Sequence, residues 1–134
     1  MTDIEPQPAP RPQADTDSEA FWQGLRDHRL ELQACLACAR RRFPVTPACP
    51  FCGHSEARWE RSSEMGEVYS FVVVRRAFDP AFEHDVPYVI ATVDLDGGGR
   101  IVGRGDSATQ IGCRVKAEFV DHEDWTELRF MTTT

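Results

Sequence analysis

The sequence predicts a mainly β chain: a short N-terminal helix, a small metal-binding ribbon, then a compact closed barrel. Three observations carry this. Two C-x2-C pairs, Cys35/Cys38 and Cys49/Cys52, stand ten residues apart. Five segments of alternating apolar and polar residues crowd into residues 67–131, with glycines at the corners. The charge also changes sign along the chain, at −4 for residues 1–33, +2 for 34–65 and −5 for 66–134. The division that follows is 1–14 as a disordered tail, 15–33 as helix and strand, 34–62 as ribbon and 63–134 as barrel.

The tail carries four prolines and almost nothing to bury. A helix follows. Thr16 and Glu19 have capping-box spacing, and Asp15 and Asp17 favour a helix start. Phe21, Trp22 and Leu25 form its apolar face, and Gly24 weakens it, so it must dock. That surface is either the chain's own body or a partner. Arg29–Gln33 alternates and reads as a strand entering the first cysteine pair. Further strands are expected at Glu67–Arg75, Tyr88–Leu95, Arg100–Gly105, Arg114–Asp121 and Trp125–Met131. Asp96-Gly97-Gly98-Gly99 is a hairpin turn. Five short strands with glycine corners fit an OB-fold barrel better than a sandwich.

The cysteine pairs are the strongest signal. Tetrahedral Zn²⁺ takes four thiolates at about 2.3 Å, and two residues between ligands let one tight turn aim both sulfurs at the ion. Gly53 follows Cys52 where the chain often needs a positive φ, and Pro50 preorganises the second turn. A rubredoxin-like zinc ribbon with ligands Cys35, Cys38, Cys49 and Cys52 is the reading. Two disulfides are the competing one, disfavoured in a reducing compartment. Four thiolates close the coordination sphere, so the metal is structural; iron in the same site would make an electron carrier. Cys113 reads as a small buried hydrophobe.

Composition excludes more. The chain has 134 residues, 41% of them apolar, and a net charge of −7 from 22 acidic and 15 basic residues. That balance repels phosphate backbones and disfavours a general nucleic-acid binder. No apolar run is long enough to span a membrane and no signal pattern opens the chain, so a cytoplasmic protein is expected. There is no Gly-rich phosphate loop, no G-x-S-x-G and no H-E-x-x-H. His28, His54, His84 and His122 are scattered, with His54 placed to serve the second cysteine turn. Asp94 and Asp96 flank the glycine turn and need no catalytic role. Nothing here reads as an enzyme in its own right.

Phe21-Trp22, Gly24-Leu25, Arg29-Leu30, the two cysteine pairs, Phe43-Pro44, Gly66-Glu67-Val68-Tyr69-Ser70-Phe71, Val86-Pro87-Tyr88, Val93-Asp94-Leu95 and Ile111-Gly112 follow one another in order. Over residues 18–131 this resembles the zinc-ribbon/OB-fold family of domain of unknown function 35. The resemblance implies a non-catalytic accessory subunit of an acyl-CoA-processing assembly. Its partner would be a thiolase-fold protein, whether thiolase, acyltransferase or steroid side-chain CoA aldolase. It implies structural zinc, one per chain, and a coenzyme A thioester as ligand. The loop Arg75–Asp85 agrees with this: it carries Arg75, Arg76, Phe78 and Phe82 where a plain connector would be small and polar. Arginines suit coenzyme phosphates, and phenylalanines suit an adenine or a partner groove. Plugging the barrel mouth is the competing role. Arg40, Arg41 and Arg42 form a second basic cluster, either a solvated face, a partner or coenzyme contact, or a nucleic-acid contact. Arg40 and Arg41, with Phe21 and Trp22, complete the candidate partner or coenzyme surface. The readings left standing beside the accessory subunit are a nucleic-acid-binding ribbon/OB module and an iron electron carrier.

Overall fold

Residues 10–133 are described by a computed structural model, and the tail residues 1–9 lie outside the described part. Helix α1 spans Glu19–Arg26. The reciprocal bonds at its start join Asp15 and Ser18, one residue earlier than expected. Ser18 N–H donates to Asp15 Oδ1 at 2.8 Å, and Asp15 N–H donates to Ser18 Oγ at 3.1 Å. A carboxylate is a stronger acceptor than the Thr16 hydroxyl, which settles the register.

One face of α1 is core. Phe21 is 5% and Leu25 1% exposed, and burying such side chains stabilises by about 1.5–3 kcal/mol each. Phe21 packs on Phe43 and Trp22 with ring centres 5.4 and 5.2 Å away. Its ring is therefore committed to this chain and is no free anchor for a partner; Trp22 is partly buried against the same core. The Arg26 guanidinium donates to the carbonyls of His122, Glu123 and Trp125 at 2.9–3.2 Å, tying the helix to the barrel.

Strands β1 (Glu31–Cys35), β2 (Arg41–Arg42) and β3 (Ala57–Arg61) form an antiparallel sheet in the order β2-β1-β3. β1 begins two residues later than its alternation suggested. Arg29 N–H closes the helix on the Gly24 carbonyl at 2.7 Å, and pairing with β3 runs only from Glu31 to Cys35.

The barrel comprises β4 (Met65–Val74), β5 (Tyr88–Leu95), β6 (Arg100–Arg104), β7 (Arg114–Asp121) and β8 (Thr126–Thr132). It closes in the order β4-β5-β6-β8-β7, the arrangement of a five-stranded OB-fold. Inward residues alternate along each strand: Val68; Ala91, Val93 and Leu95; Ile101; Val115 and Ala117; Leu128 and Phe130. The α1 face and Leu30 and Leu32 of the ribbon join the same core cluster. At Gly66 a Cβ would lie 2.6 Å from the Asp94 carbonyl oxygen, so only glycine lets β4 cross β5 this closely. Beyond an irregularity at Val68/Ser70, β4 parts from β7, which it pairs only through Met65–Glu67. Tyr69, Val72 and Val73 are exposed there. Among the described residues no helix is long and apolar enough to cross a membrane.

Asp106 fastens the β6–β7 connection. It accepts from Thr132 N and Thr132 Oγ1, both at 2.8 Å, and from Ala108 N at 3.1 Å. Burial opposes its ionisation, but these donors outweigh burial and hold the carboxyl below the usual 3.8. A depressed carboxyl contributes stability that is complete above its unfolded value and is lost as pH falls through the folded one. Asp106→Ala is therefore expected to cost about 1–3 kcal/mol near neutral pH. In urea titrations the gap from the parent should shrink as pH drops below the usual carboxylate range; a pH-independent gap would count against the ionic contribution.

Candidate functional site

The two cysteine turns are built alike. In the first, Ala39 N–H donates to the Cys35 carbonyl at 2.9 Å and Ala37 N–H to Cys35 Sγ at 3.4 Å. In the second, Gly53 N–H donates to the Cys49 carbonyl at 2.8 Å and Phe51 N–H to Cys49 Sγ at 3.4 Å. Each ends on a left-handed residue, Ala39 at φ 64° and Gly53 at φ 83°. Each returns a carbonyl, Arg40 or His54, to the N–H of its first cysteine at 3.0 and 2.8 Å. Glycine at 53 was expected on these grounds; alanine at 39 accepts the same backbone at some conformational cost.

The turns bring four sulfurs together. Cys35 Sγ lies 3.6 Å from Cys52 Sγ, and Cys38 Sγ 3.6 Å from Cys49 Sγ. All four fall within 4.8 Å of one another. Four thiolates at about 2.3 Å from a central ion have tetrahedral edges of about 3.8 Å, so the set fits a zinc-sized ion. Cys35 and Cys49 are buried, while Cys52 is exposed.

The thiols do not ionise equally. Backbone donation, first from Cys38, pulls the Cys35 thiol down despite its desolvation. Burial pushes the Cys49 thiol up, but the N–H groups of Phe51 and Cys52 and the thiol of Cys38 bring it down to about 6. At Cys52 the His54 N–H favours the thiolate, yet desolvation and the three facing sulfurs lift it to about 11. His54 thus serves the cluster through its backbone. A cation at the centre removes the mutual repulsion that keeps the last proton on.

The other predicted residues separate. Phe78 projects from the β4–β5 loop, 85% exposed, with the Arg76 guanidinium 5.6 Å from its ring centre. Phe82 lies back on the barrel, 5.9 Å from the Tyr88 ring, as a plug would. Arg75 and Arg76 are exposed. The run Arg40–Arg42 splits three ways. Arg40 lies over the Phe51 ring at 4.9 Å, Arg41 reaches Glu60 at 3.5 Å, and Arg42 is buried. A solvated basic face was one reading of this run, and Arg42 does not belong to it. Sequence reasoning grouped Arg42 with its neighbours and missed Arg100, whose guanidinium lies 3.6 Å over the Tyr69 ring. Cys113 is half-buried and packs against the core.

The comparisons follow this architecture part by part. The family model described as ChsH2, rubredoxin-like zinc ribbon domain, matches residues 22–57. The one described as ChsH2, C-terminal OB-fold domain, matches residues 59–120. A DUF35 domain-containing scaffold protein of Methanocaldococcus jannaschii is 36% identical over 104 residues, 73% of each chain. The 3-oxo-4,17-pregnadiene-20-carboxyl-CoA hydratase alpha subunit of Mycobacterium tuberculosis is 35% identical over 128 residues. A probable enoyl-CoA hydratase alpha subunit of Thermomonospora curvata is 34% identical over 116. The alignments cover 92% and 84% of this chain but only 40% and 36% of those two proteins. Among solved structures, a chain of the Ltp2-ChsH2(DUF35) aldolase is matched over its whole length with a TM-score of 0.79 and 30% identity, covering 92% of this chain. A DUF35 protein of unknown function from Sulfolobus solfataricus shares the fold, with a TM-score of 0.62 and 17% identity.

One zinc per chain is expected on elemental analysis of protein purified without chelator. Cys49→Ser should lose the metal and unfold the ribbon, because structural zinc contributes folding energy directly. Stoichiometric iron and a red colour would mark the electron-carrier alternative, and a metal-free, folded chain would contradict the site.

Proposed function

The chain belongs to the DUF35 zinc-ribbon/OB-fold family, and on that premise we propose that it is a non-catalytic accessory subunit of an acyl-CoA-processing complex. Its partner in this reading is a thiolase-fold protein that supplies the reacting groups, while this chain aids assembly and binding of the coenzyme thioester. The observation that carries the reading is the full-length match to one chain of a two-component aldolase, at a TM-score of 0.79. The names of the hydratase alpha subunits support the same substrate class, that of CoA thioesters.

The chain's own chemistry supports a scaffold. Zinc held by Cys35, Cys38, Cys49 and Cys52 has no open position for a substrate or water, so it cross-links rather than reacts. The surface left over suits docking: Phe78, Tyr69, Val72 and Val102 expose apolar area that water disfavours. Arg75 and Arg76 supply charge beside Phe78.

Two measurements test this. The purified chain should not turn over CoA thioesters, whereas a co-purified complex with an identified thiolase-fold subunit should; robust turnover by the chain alone would overturn the reading. Phe78→Ala should leave the melting temperature of the free chain near that of the parent, since 85% of the side chain already faces solvent. The same change should weaken assembly by tenfold or more. Unchanged assembly would remove the loop from the interface and leave Trp22 and the ribbon as candidates.

A further inference from the structure

Arg42 is a buried cation that lacks an anion. It is 4% exposed. Its Nε donates to Gln33 Oε1 at 3.2 Å and Nη2 to the Thr46 carbonyl at 3.1 Å. Nη1 is closed off from solvent and has no partner among the described residues. None of the ion pairs among those residues includes Arg42; the neighbouring ones belong to Arg41, Arg58 and Arg100. Burying a charge without a counter-charge is strongly unfavourable. The positive potential it leaves is felt in whatever space lies next to it.

That space is a cleft of about 570 Å³ between the ribbon and the β5–β6 hairpin, lined in part by Arg41, Arg42, Phe51, Asp94 and Arg100. A hollow of about 360 Å³ shares Arg41 and Phe51 with it and adds Arg40. The carboxylates nearby are already committed. Glu60 is held by Arg58 at 2.6 Å as well as by Arg41. Asp94 takes Nε and Nη2 of Arg100 at 2.7 and 3.2 Å, a pairing that leaves Nη1 of Arg100 unused. Arg40, Arg41, Arg42 and Arg100 line the two spaces, and the carboxylates paired with them are Glu60 and Asp94, four positive charges against two negative, in a chain of net −7.

We propose that this cleft is an anion site for a phosphate-bearing small molecule. The phosphate sits between Arg41 and Arg100 in front of the buried charge of Arg42. The rim offers Phe51, 55% exposed, as an apolar plate for a flat ring. Phosphate suits the site because it carries more than one charge and matches the fork of a guanidinium. Only the identity of the carrier rests on the proposed function: there the phosphate belongs to a coenzyme thioester, and a free phosphate ester offers the same chemistry.

Calorimetric titration of the zinc-loaded full chain with pyrophosphate, adenosine 3′,5′-bisphosphate and coenzyme A tests the assignment. The bisphosphate and the coenzyme should bind, with affinity falling as salt rises. Arg100→Gln, at the half-exposed rim, should fold normally and bind the bisphosphate about tenfold more weakly, as should Arg41→Gln. Glu60→Gln removes a competing carboxylate and should tighten binding. Arg42 also holds Thr46 and Gln33, so the rim variants carry the test. If pyrophosphate and bisphosphate bind in an arginine-dependent way and coenzyme A does not, the site stands and the coenzyme reading falls. The proposal is overturned by the absence of millimolar binding of all three compounds, or by equal binding to the Arg41 and Arg100 variants. A single-stranded oligonucleotide binding more tightly than the bisphosphate through the same arginines would overturn it in favour of nucleic acid.

Discussion

The meeting of four sulfur atoms within 4.8 Å governs everything on the N-terminal side of the barrel. The ribbon sheet could not hold itself: β2 is two residues long, and β1 and β3 are five each. Sheets of that size are marginal unless something covers or ties them. A divalent ion held by both turns would supply what the missing core does not. It would also fix Arg41 and Arg42, which lie between the turns, and so set where positive charge is presented.

The ribbon is then held against the barrel through a close contact of its first strand and a shared core. The β5–β6 turn presses on β1, and at Gly99, φ 101°, a Cβ would lie 2.6 Å from Leu32 Cδ1. A side chain there would push the two parts away from each other. The close approach creates the cleft's floor, and Leu30 and Leu32 run on into the barrel core. Folding of the barrel and ordering of the ribbon are thereby coupled through shared apolar surface as well as through the chain.

Much of this was legible in the sequence because period and spacing are local. Tyr88–Leu95 and Arg114–Asp121 are strands with the expected ends, since each is bounded by turn residues and buries alternate positions. The cysteine spacing announced the sulfur cluster. What the sequence hid depended on competition or on distance. Asp15 displaced Thr16 as the acceptor because two adjacent residues offered the same bond. Phe21 and Trp22 look equivalent on a short helix, yet docking buries the first fully and the second only in part. Phe78 and Phe82 likewise part company, one projecting and one lying on Tyr88. Arg41 and Arg42 part because a two-residue strand points alternate side chains to opposite faces, and Arg40, ahead of the strand, lies over Phe51. No single-sequence signal marks Arg42 as the buried one.

The distribution of ion pairs sharpens the meaning of those arginines. The pairs with more than 45% of each side chain in water, such as Arg11–Asp124 and Arg100–Asp94, contribute little to stability. Their effect on the surface potential is larger, because each cancels an arginine locally. Among the described residues, the arginines with no carboxylate within 4.0 Å are Arg40, Arg42, Arg75 and Arg76. They occur in two places along the chain, Arg40 and Arg42 on the ribbon and Arg75 and Arg76 on the β4–β5 loop. Two like charges side by side repel unless an anion is supplied. An acidic chain that neutralises its arginines elsewhere and leaves these four without a carboxylate partner concentrates its positive potential at two places. Each lies beside an exposed phenylalanine, Phe51 in one case and Phe78 in the other. A phosphate with a ring attached, or a partner surface pairing carboxylates with an apolar pocket, meets both requirements. An uncharged partner would leave the four guanidinium charges as they are.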